Sequence, residues 1–329
     1  MGRNLSLELR GCHRDRNHDP PSHPTETTVT TIEWSGLTKS FGEVVAVDDV
    51  NATIESGRLT AFLGPNGAGK TTTFRMLLGL ATPTSGTATF DGKRYDELQD
   101  PVRHVGAMLE ASGFHPGRTA LDHLRVLTLA AGLPREAPIR VLTATGLSDN
   151  AHRKVGDFSL GMRQRLGLAA AMLGDPEVLV LDEPTNGLDP QGTRWLRGYL
   201  RQLVDEGRTV LVSSHALSEV EQTADQVLVI VGGRLIRSAT LADLRAEAGV
   251  GSRVRSVEPD RFETILLHAG YHTSYHDGDL VVDAAPERVG ELAAANQVVL
   301  HHLAATARLE DAFFRLTEPP ETAEPTRSR

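Results

Sequence analysis

Between residues 64 and 71 the chain reads Gly64-Pro65-Asn66-Gly67-Ala68-Gly69-Lys70-Thr71, three glycines set among small residues and closed by an ammonium and a hydroxyl. Residues of these types at this spacing can cradle a phosphate chain. The glycines let successive backbone N–H groups turn inward, and a helix starting at the lysine aims its positive end at the same point. Lys70 would then reach β- and γ-phosphates, while the Thr71 hydroxyl would bind Mg²⁺. The run fills every fixed position of the pattern G-x-x-x-x-G-K-[ST], so a nucleoside triphosphate is the expected ligand. Two further groups stand at the ends of apolar runs. Asp182-Glu183 follows Val178-Leu179-Val180-Leu181, and His215 follows Val210-Leu211-Val212-Ser213-Ser214.

These groups need a scaffold that brings them to one place. Residues 59–63 form an apolar run into the glycine-rich loop, and a helix-like stretch leaves it at Thr71. Unbroken apolar runs such as 178–181 fit parallel strands covered on both faces. Strands alternating with helices give a mostly parallel α/β sheet, whose ligand sits outside the carboxyl ends of its strands. Gly64, Asp182 and His215 all fall at such ends. Upstream, short strands are expected at 30–34, 44–47 and 51–54, and downstream one at 87–90. Residues 101–173 read as a helical insert, with helices at 120–131, 139–145 and from Ser159 to Leu173. A helix runs from Pro190 to about residue 205, a hairpin spans 226–237, and Thr240 caps a short helix to about 248.

Beyond Gly249 and Gly251 the order strand, helix, strand, strand, helix, strand follows, the β-α-β-β-α-β pattern of a ferredoxin-like unit. The expected organisation is a tail at 1–28, an α/β domain at 30–240, an accessory or regulatory domain at 250–317 ending in a helix at 309–316, and a Pro/Glu/Thr-rich tail at 318–329. The first tail is rich in Arg, Asp, His and Pro, and lacks apolar periodicity. Its His13, His18 and His23 recur at five-residue intervals, which suits no usual zinc spacing. Met1-Gly2-Arg3-Asn4-Leu5-Ser6 matches a myristoylation pattern, taken here as chance.

The whole-chain figures narrow the classes. At 329 residues there is room for two domains. With 34 basic against 43 acidic residues and a net charge of -9, nucleic acid held by general electrostatics is disfavoured. The single cysteine, Cys12, excludes a disulfide framework and fits a reducing cytosol. No apolar run approaches the ~20 residues that a membrane helix needs.

Taken in order, these motifs resemble the ATP-binding cassette ATPases, in particular bacterial subunits that power separate drug- or antibiotic-exporting permeases. The resemblance covers about residues 31–240 and continues more loosely to 316. It implies a phosphate-loop ATPase of ABC type with a helical signature subdomain. Nucleotide contacts are implied at Phe41, which would stack on adenine, and at Gly64, Pro65, Asn66, Gly67, Ala68, Gly69, Lys70, Thr71 and Thr72. Asp182 would hold Mg²⁺ with Thr71, Glu183 would be the catalytic base, and His215 would contact the γ-phosphate. The usual signature Leu-Ser-Gly-Gly-Gln is altered here to Phe158-Ser159-Leu160-Gly161-Met162-Arg163-Gln164, keeping Ser159, Gly161 and Gln164. In the family this loop closes on the ATP of a second subunit, and Asp189 lies in the dimer loop, so a dimer sharing two Mg·ATP is implied. Glu110 stands where a coupling glutamine is usual; a carboxylate can accept from Mg²⁺-bound water but cannot donate as an amide does. The resemblance also implies a membrane-spanning permease as partner and a place on the cytoplasmic face of the membrane. Two other readings remain: a soluble cassette ATPase remodelling ribosomes or DNA, disfavoured by the single cassette and acidic charge, and a nucleotide-sensing module, disfavoured by intact Glu183 and His215.

Overall fold

The computed structural model describes residues 30–109, 113–215, 217–248, 250–276 and 278–307. The chain opens with β1 (Ile32–Phe41), β2 (Val44–Ile54) and β3 (Leu59–Leu63), and α1 (Lys70–Leu77) leaves the glycine-rich loop. Next come β4 (Ser85–Phe90), α2 (Pro101–His104), β5 (Val105–Met108), α3 (Ala120–Ala130), α4 (Ala137–Ala144) and α5 (Leu160–Ala171). The second half of the α/β region holds β6 (Val178–Leu181), α6 (Pro190–Asp205), β7 (Thr209–Ser214), α7 (Leu217–Val220), β8 (Gln226–Val231), β9 (Arg234–Thr240) and α8 (Leu241–Ala248). The chain then forms β10 (Val250–Ser256), α9 (Pro259–His268), β11 (Thr273–His276), β12 (Asp279–Val282), α10 (Pro286–Ala295) and β13 (Leu300–Ala307).

A six-stranded sheet in the order β5-β6-β7-β3-β8-β9 forms the centre, parallel except for the β8–β9 hairpin. Alternation along its strands divides the core in two. Leu59, Ala61, Leu63, Leu179, Leu181, Val210 and Val212 face α5 and α6, joining their Leu166, Leu196 and Leu200. Phe62, Val178, Val180, Leu211 and Ile230 face the other way, onto Phe74 and Leu77 of α1 and onto an antiparallel sheet β2-β1-β4. Both faces of each central strand are thus covered, which is why their sequences are continuously apolar.

Two expectations need correction. The strands expected at 30–34, 44–47 and 51–54 are two long ones, because β1 and β2 run on through register shifts with Gly36 and Asp49 in left-handed conformations. Residues 101–173 are not helical throughout: β5 pairs in parallel with β6 and belongs to the central sheet, so apart from the single turn of α2 the helices begin only after it. In the C-terminal unit the order is β-α-β-β-α-β, and its four strands pair as an antiparallel sheet β11-β12-β10-β13 with its own core of Val254, Phe262, Leu266, Leu280, Val282 and Val289. The expected tails, the helix at 309–316 and Glu110 lie outside the described residues.

Candidate nucleotide site

The glycine-rich loop is fixed by close packing as well as by its backbone angles. Gly69 caps α1 at φ +105°, and a Cβ there would lie 2.4 Å from the Ala46 carbonyl oxygen. At Gly64 a Cβ would meet the Ile230 carbonyl at 2.3 Å. No other residue fits either position without moving backbone. Pro65, Asn66 and Gly67 are exposed, Ala68 is buried, and Thr71 and Thr72 are half-buried on the first turn of α1.

Lys70 is only 6 % exposed, and its ammonium donates to the carbonyls of Gly64 (2.6 Å) and Pro65 (3.3 Å). It also pairs with Glu183 Oε1 at 3.2 Å. The Thr71 hydroxyl donates to Asp182 Oδ2 at 2.6 Å. Asp182 follows β6, with its N–H donating to Met108 O at the end of β5. The other Asp182 oxygen, Oδ1, accepts the Ser213 hydroxyl at 2.5 Å, and the same hydroxyl accepts the Glu183 N–H at 2.8 Å. Glu183 itself takes a left-handed backbone, φ +47°, and its Oε2 lies 2.8 Å from His215 Nδ1 at the end of β7. Lys70, Thr71, Asp182, Glu183 and His215 are therefore one connected polar cluster at the carboxyl edge of β3, β6 and β7. Glu219 on α7 supports it from behind, its Oε2 accepting from the hydroxyls of Ser214 (2.5 Å) and Thr185 (2.9 Å).

A second group forms around α5 and α6. Ser159 caps α5, accepting from Met162 N–H at 3.3 Å, and Gly161 packs against Leu188. Gln164 points inward, where its amide donates to Asn186 O at 2.8 Å. Asp189 caps α6 by accepting from Gly192 N–H at 2.7 Å. Phe41 ends β1 with 57 % of its surface exposed and Lys39 Nζ 5.0 Å from its ring centre. An unpacked ring there argues against a core role. Its strand partner β2 carries Ala46 against Gly69, so this hairpin borders the loop.

The ABC transporter family model matches residues 47–186, and a domain of unknown function matches 252–310. The bacitracin transport ATP-binding protein of Enterococcus faecalis is 35% identical over 295 residues, covering 87% of this chain and 96% of that protein. The chain belongs to the ABC transporter ATP-binding family. It is an ATPase subunit, carrying the cassette fold. A solved ATP-binding subunit of an ABC transporter shares 28% identity with a TM-score of 0.60, over 66% of this chain and 92% of that one. A dimeric bacterial ABC transporter cassette matches in fold with a TM-score of 0.59 at 24% identity, over 64% of this chain and 98% of that one. Among the described residues, no helix of this cassette is long and apolar enough to cross a membrane.

Four contributors to the cluster were not singled out by sequence: Thr185, Ser213, Ser214 and Glu219. Hydroxyls within an apolar strand carry no periodic signal of their own. The one available hint was the closeness in sequence of Ser213 and Ser214 to His215 and of Thr185 to Glu183; Glu219, on α7, carried none.

Proposed function

We propose that this cassette binds Mg·ATP on the 64–71 loop, pairs with a second copy so that each closes the other's site, and drives a separate membrane permease from the cytoplasmic face. Its cargo is a drug, antibiotic or other hydrophobic compound moving outward. The observation that carries the ATPase assignment is the connected cluster of Lys70, Thr71, Asp182, Glu183 and His215 at one sheet edge. The cargo class rests on the bacitracin transport relative, which aligns over most of both chains, and the outward direction on the resemblance to drug- and antibiotic-exporting subunits. Residues 30–240 form the ATP-binding unit and 250–317 an accessory domain, a division supported by the separate core around Phe262.

In this reading the loop N–H groups and Lys70 bind the β- and γ-phosphates, Lys70 leaving Glu183 to do so. Phe41 stacks on adenine. The hydroxyl of Thr71 and the carboxylate of Asp182 are hard oxygen donors joined to each other, a set that fits Mg²⁺, which usually takes one or two protein oxygens beside phosphate and water. When bound, the ion neutralises charge on the phosphate oxygens. Glu183, freed from Lys70, accepts the proton of the attacking water. His215 meets that carboxylate through Nδ1 at 2.8 Å, which keeps the ring beside the place where the γ-phosphate would lie. Ser159 and Gly161 of a second copy present the start of α5 to the same phosphate, where free N–H groups attract anions. Gln164 acts one step behind, tying α5 to the loop that leads to Asp189. Glu110 comes two residues after β5 in the sequence, and β5 is the strand whose Met108 carbonyl accepts from Asp182, which supports a coupling position there.

ATP turnover of the purified subunit, with and without its co-purified membrane partner, tests the assignment. Glu183→Gln should bind ATP, stop turnover and accumulate as a dimer on a sizing column; turnover at the wild-type rate would remove Glu183 as the base. For the coupling role, permease-stimulated turnover should change in Glu110→Gln and Glu110→Ala, and wild-type stimulation in both would remove it.

A further inference from the structure

Strands β6 and β7 pair in parallel register as far as Leu181 opposite Val212. Past that point the ladder stops, because Glu183 has turned to φ +47°. A backbone N–H leaving a ladder inside the protein needs another acceptor, and an L-residue with a side chain rarely adopts this conformation. The Ser213 hydroxyl supplies the acceptor, taking the Glu183 N–H at 2.8 Å. Its own hydrogen goes to Asp182 Oδ1. The serine is 1 % exposed, so solvent does not substitute for it. With Thr71 on Oδ2, Asp182 is held from both sides, and the rotamer it presents is set by two hydroxyls.

We infer that Ser213 is a positioning residue for ATP hydrolysis, its one hydroxyl fixing both the Asp182 carboxylate and the left-handed backbone that aims Glu183. It acts through these two residues and touches no phosphate. An apolar side chain at 213 would strand a buried N–H and free a buried carboxylate oxygen, and both groups would turn to find partners. The inference rests on the roles proposed above for Asp182 and Glu183, so Glu183→Gln is measured beside it.

The test uses the full chain with its permease, as Ser213→Ala and Ser213→Thr. ATP binding without Mg²⁺ is read by fluorescence titration, and kcat, KM and the Mg²⁺ requirement by steady-state turnover. For Ser213→Ala, kcat should fall about tenfold or more and the Mg²⁺ requirement should rise, while Mg²⁺-free ATP binding stays within about twofold, because the phosphate loop is untouched. Ser213→Thr keeps the hydroxyl and should restore kcat to within about threefold of wild type. A normal kcat in Ser213→Ala, an equal loss of Mg²⁺-free binding, or a threonine variant as slow as alanine would each overturn the inference. If Glu183→Gln turns over normally, the base assignment falls instead; if it is dead while Ser213→Ala is normal, only the role of Ser213 falls.

Discussion

Replacing Glu183 with glutamine should lower the thermal stability of the nucleotide-free protein and tighten its binding of ATP. Lys70 lies 3.2 Å from Glu183 Oε1, and the two side chains are 6 % and 16 % exposed. At that distance Coulomb's law gives ~1.3 kcal/mol in a medium like water and ~5 kcal/mol at an effective dielectric of 20. Desolvation of both charges offsets much of this. Lys70 also keeps the Gly64 and Pro65 carbonyls when Glu183 is neutralised. A net loss of ~1–3 kcal/mol follows, which for a protein of this size lowers Tm by about 1.5–4 °C. ATP reverses the sign, since the γ-phosphate must take Lys70 from Glu183 and then sit near that carboxylate. Removing the charge relieves both, and ~1.4 kcal/mol of relief is about tenfold in Kd. Calorimetric melting without nucleotide and ATP titration of the same preparation read the two effects. General damage would weaken both stability and binding; an unchanged Tm together with weaker ATP binding would refute the competition between Glu183 and phosphate for Lys70.

Gly69→Ala should weaken ATP binding by ~2 kcal/mol or more, about 30-fold, because its Cβ meets the Ala46 carbonyl and its φ of +105° is strained for alanine; titration without Mg²⁺ checks this. Phe41→Ala should cost ~0.5–1.5 kcal/mol of ATP affinity, with Phe41→Trp retaining it, as nucleotide titration would report. His123 is buried on α3 edge-on to Phe114, with Nδ1 unpartnered, and burial followed by the nearby Arg118 charge holds its pKa below the usual 6.5. The unfolded chain therefore takes up the proton first as pH falls, so this group's contribution is present above about pH 6.5 and is lost as pH drops toward the folded-state value. Urea midpoints at pH 7 and pH 5 should differ less in His123→Leu than in wild type.

The sequence disclosed the site where its signals were continuous and hid it where they were not. Val178 to Leu181 and Val210 to Val212 are buried on both sides, so unbroken apolarity marked them as central strands and put Asp182 and His215 at their ends. Val105-Gly106-Ala107-Met108 has a glycine in four residues and no alternation, and it is a strand only because β6 offers an edge. A Cβ at Gly106 would lie 2.2 Å from the Ala171 carbonyl, so the glycine that weakened the strand signal is what lets α5 approach β5. In β1 and β2, left-handed Gly36 and Asp49 interrupted the period, while hydrogen bonds across the bulges carried the strands through. These decisions belong to tertiary pairing, which local propensity does not encode.

The left-handed turn at Glu183 explains why the contacts inside the cluster were not legible in residue types, although its five members were. Glutamate has no preference for that conformation, so nothing in Leu181-Asp182-Glu183-Pro184 announces it. Its maintenance is distributed over a distant serine, a turn closed by Asn186 N–H on the Glu183 carbonyl at 3.1 Å, and the contacts of the side chain with Lys70 and His215. Two of these four restraints are also groups that phosphate would engage. Under the roles proposed above, nucleotide arrival would loosen the side chain of Glu183 while Ser213 and Asn186 hold its backbone. That division would let the carboxylate change partner without losing its aim, which is what the base role proposed for Glu183 requires.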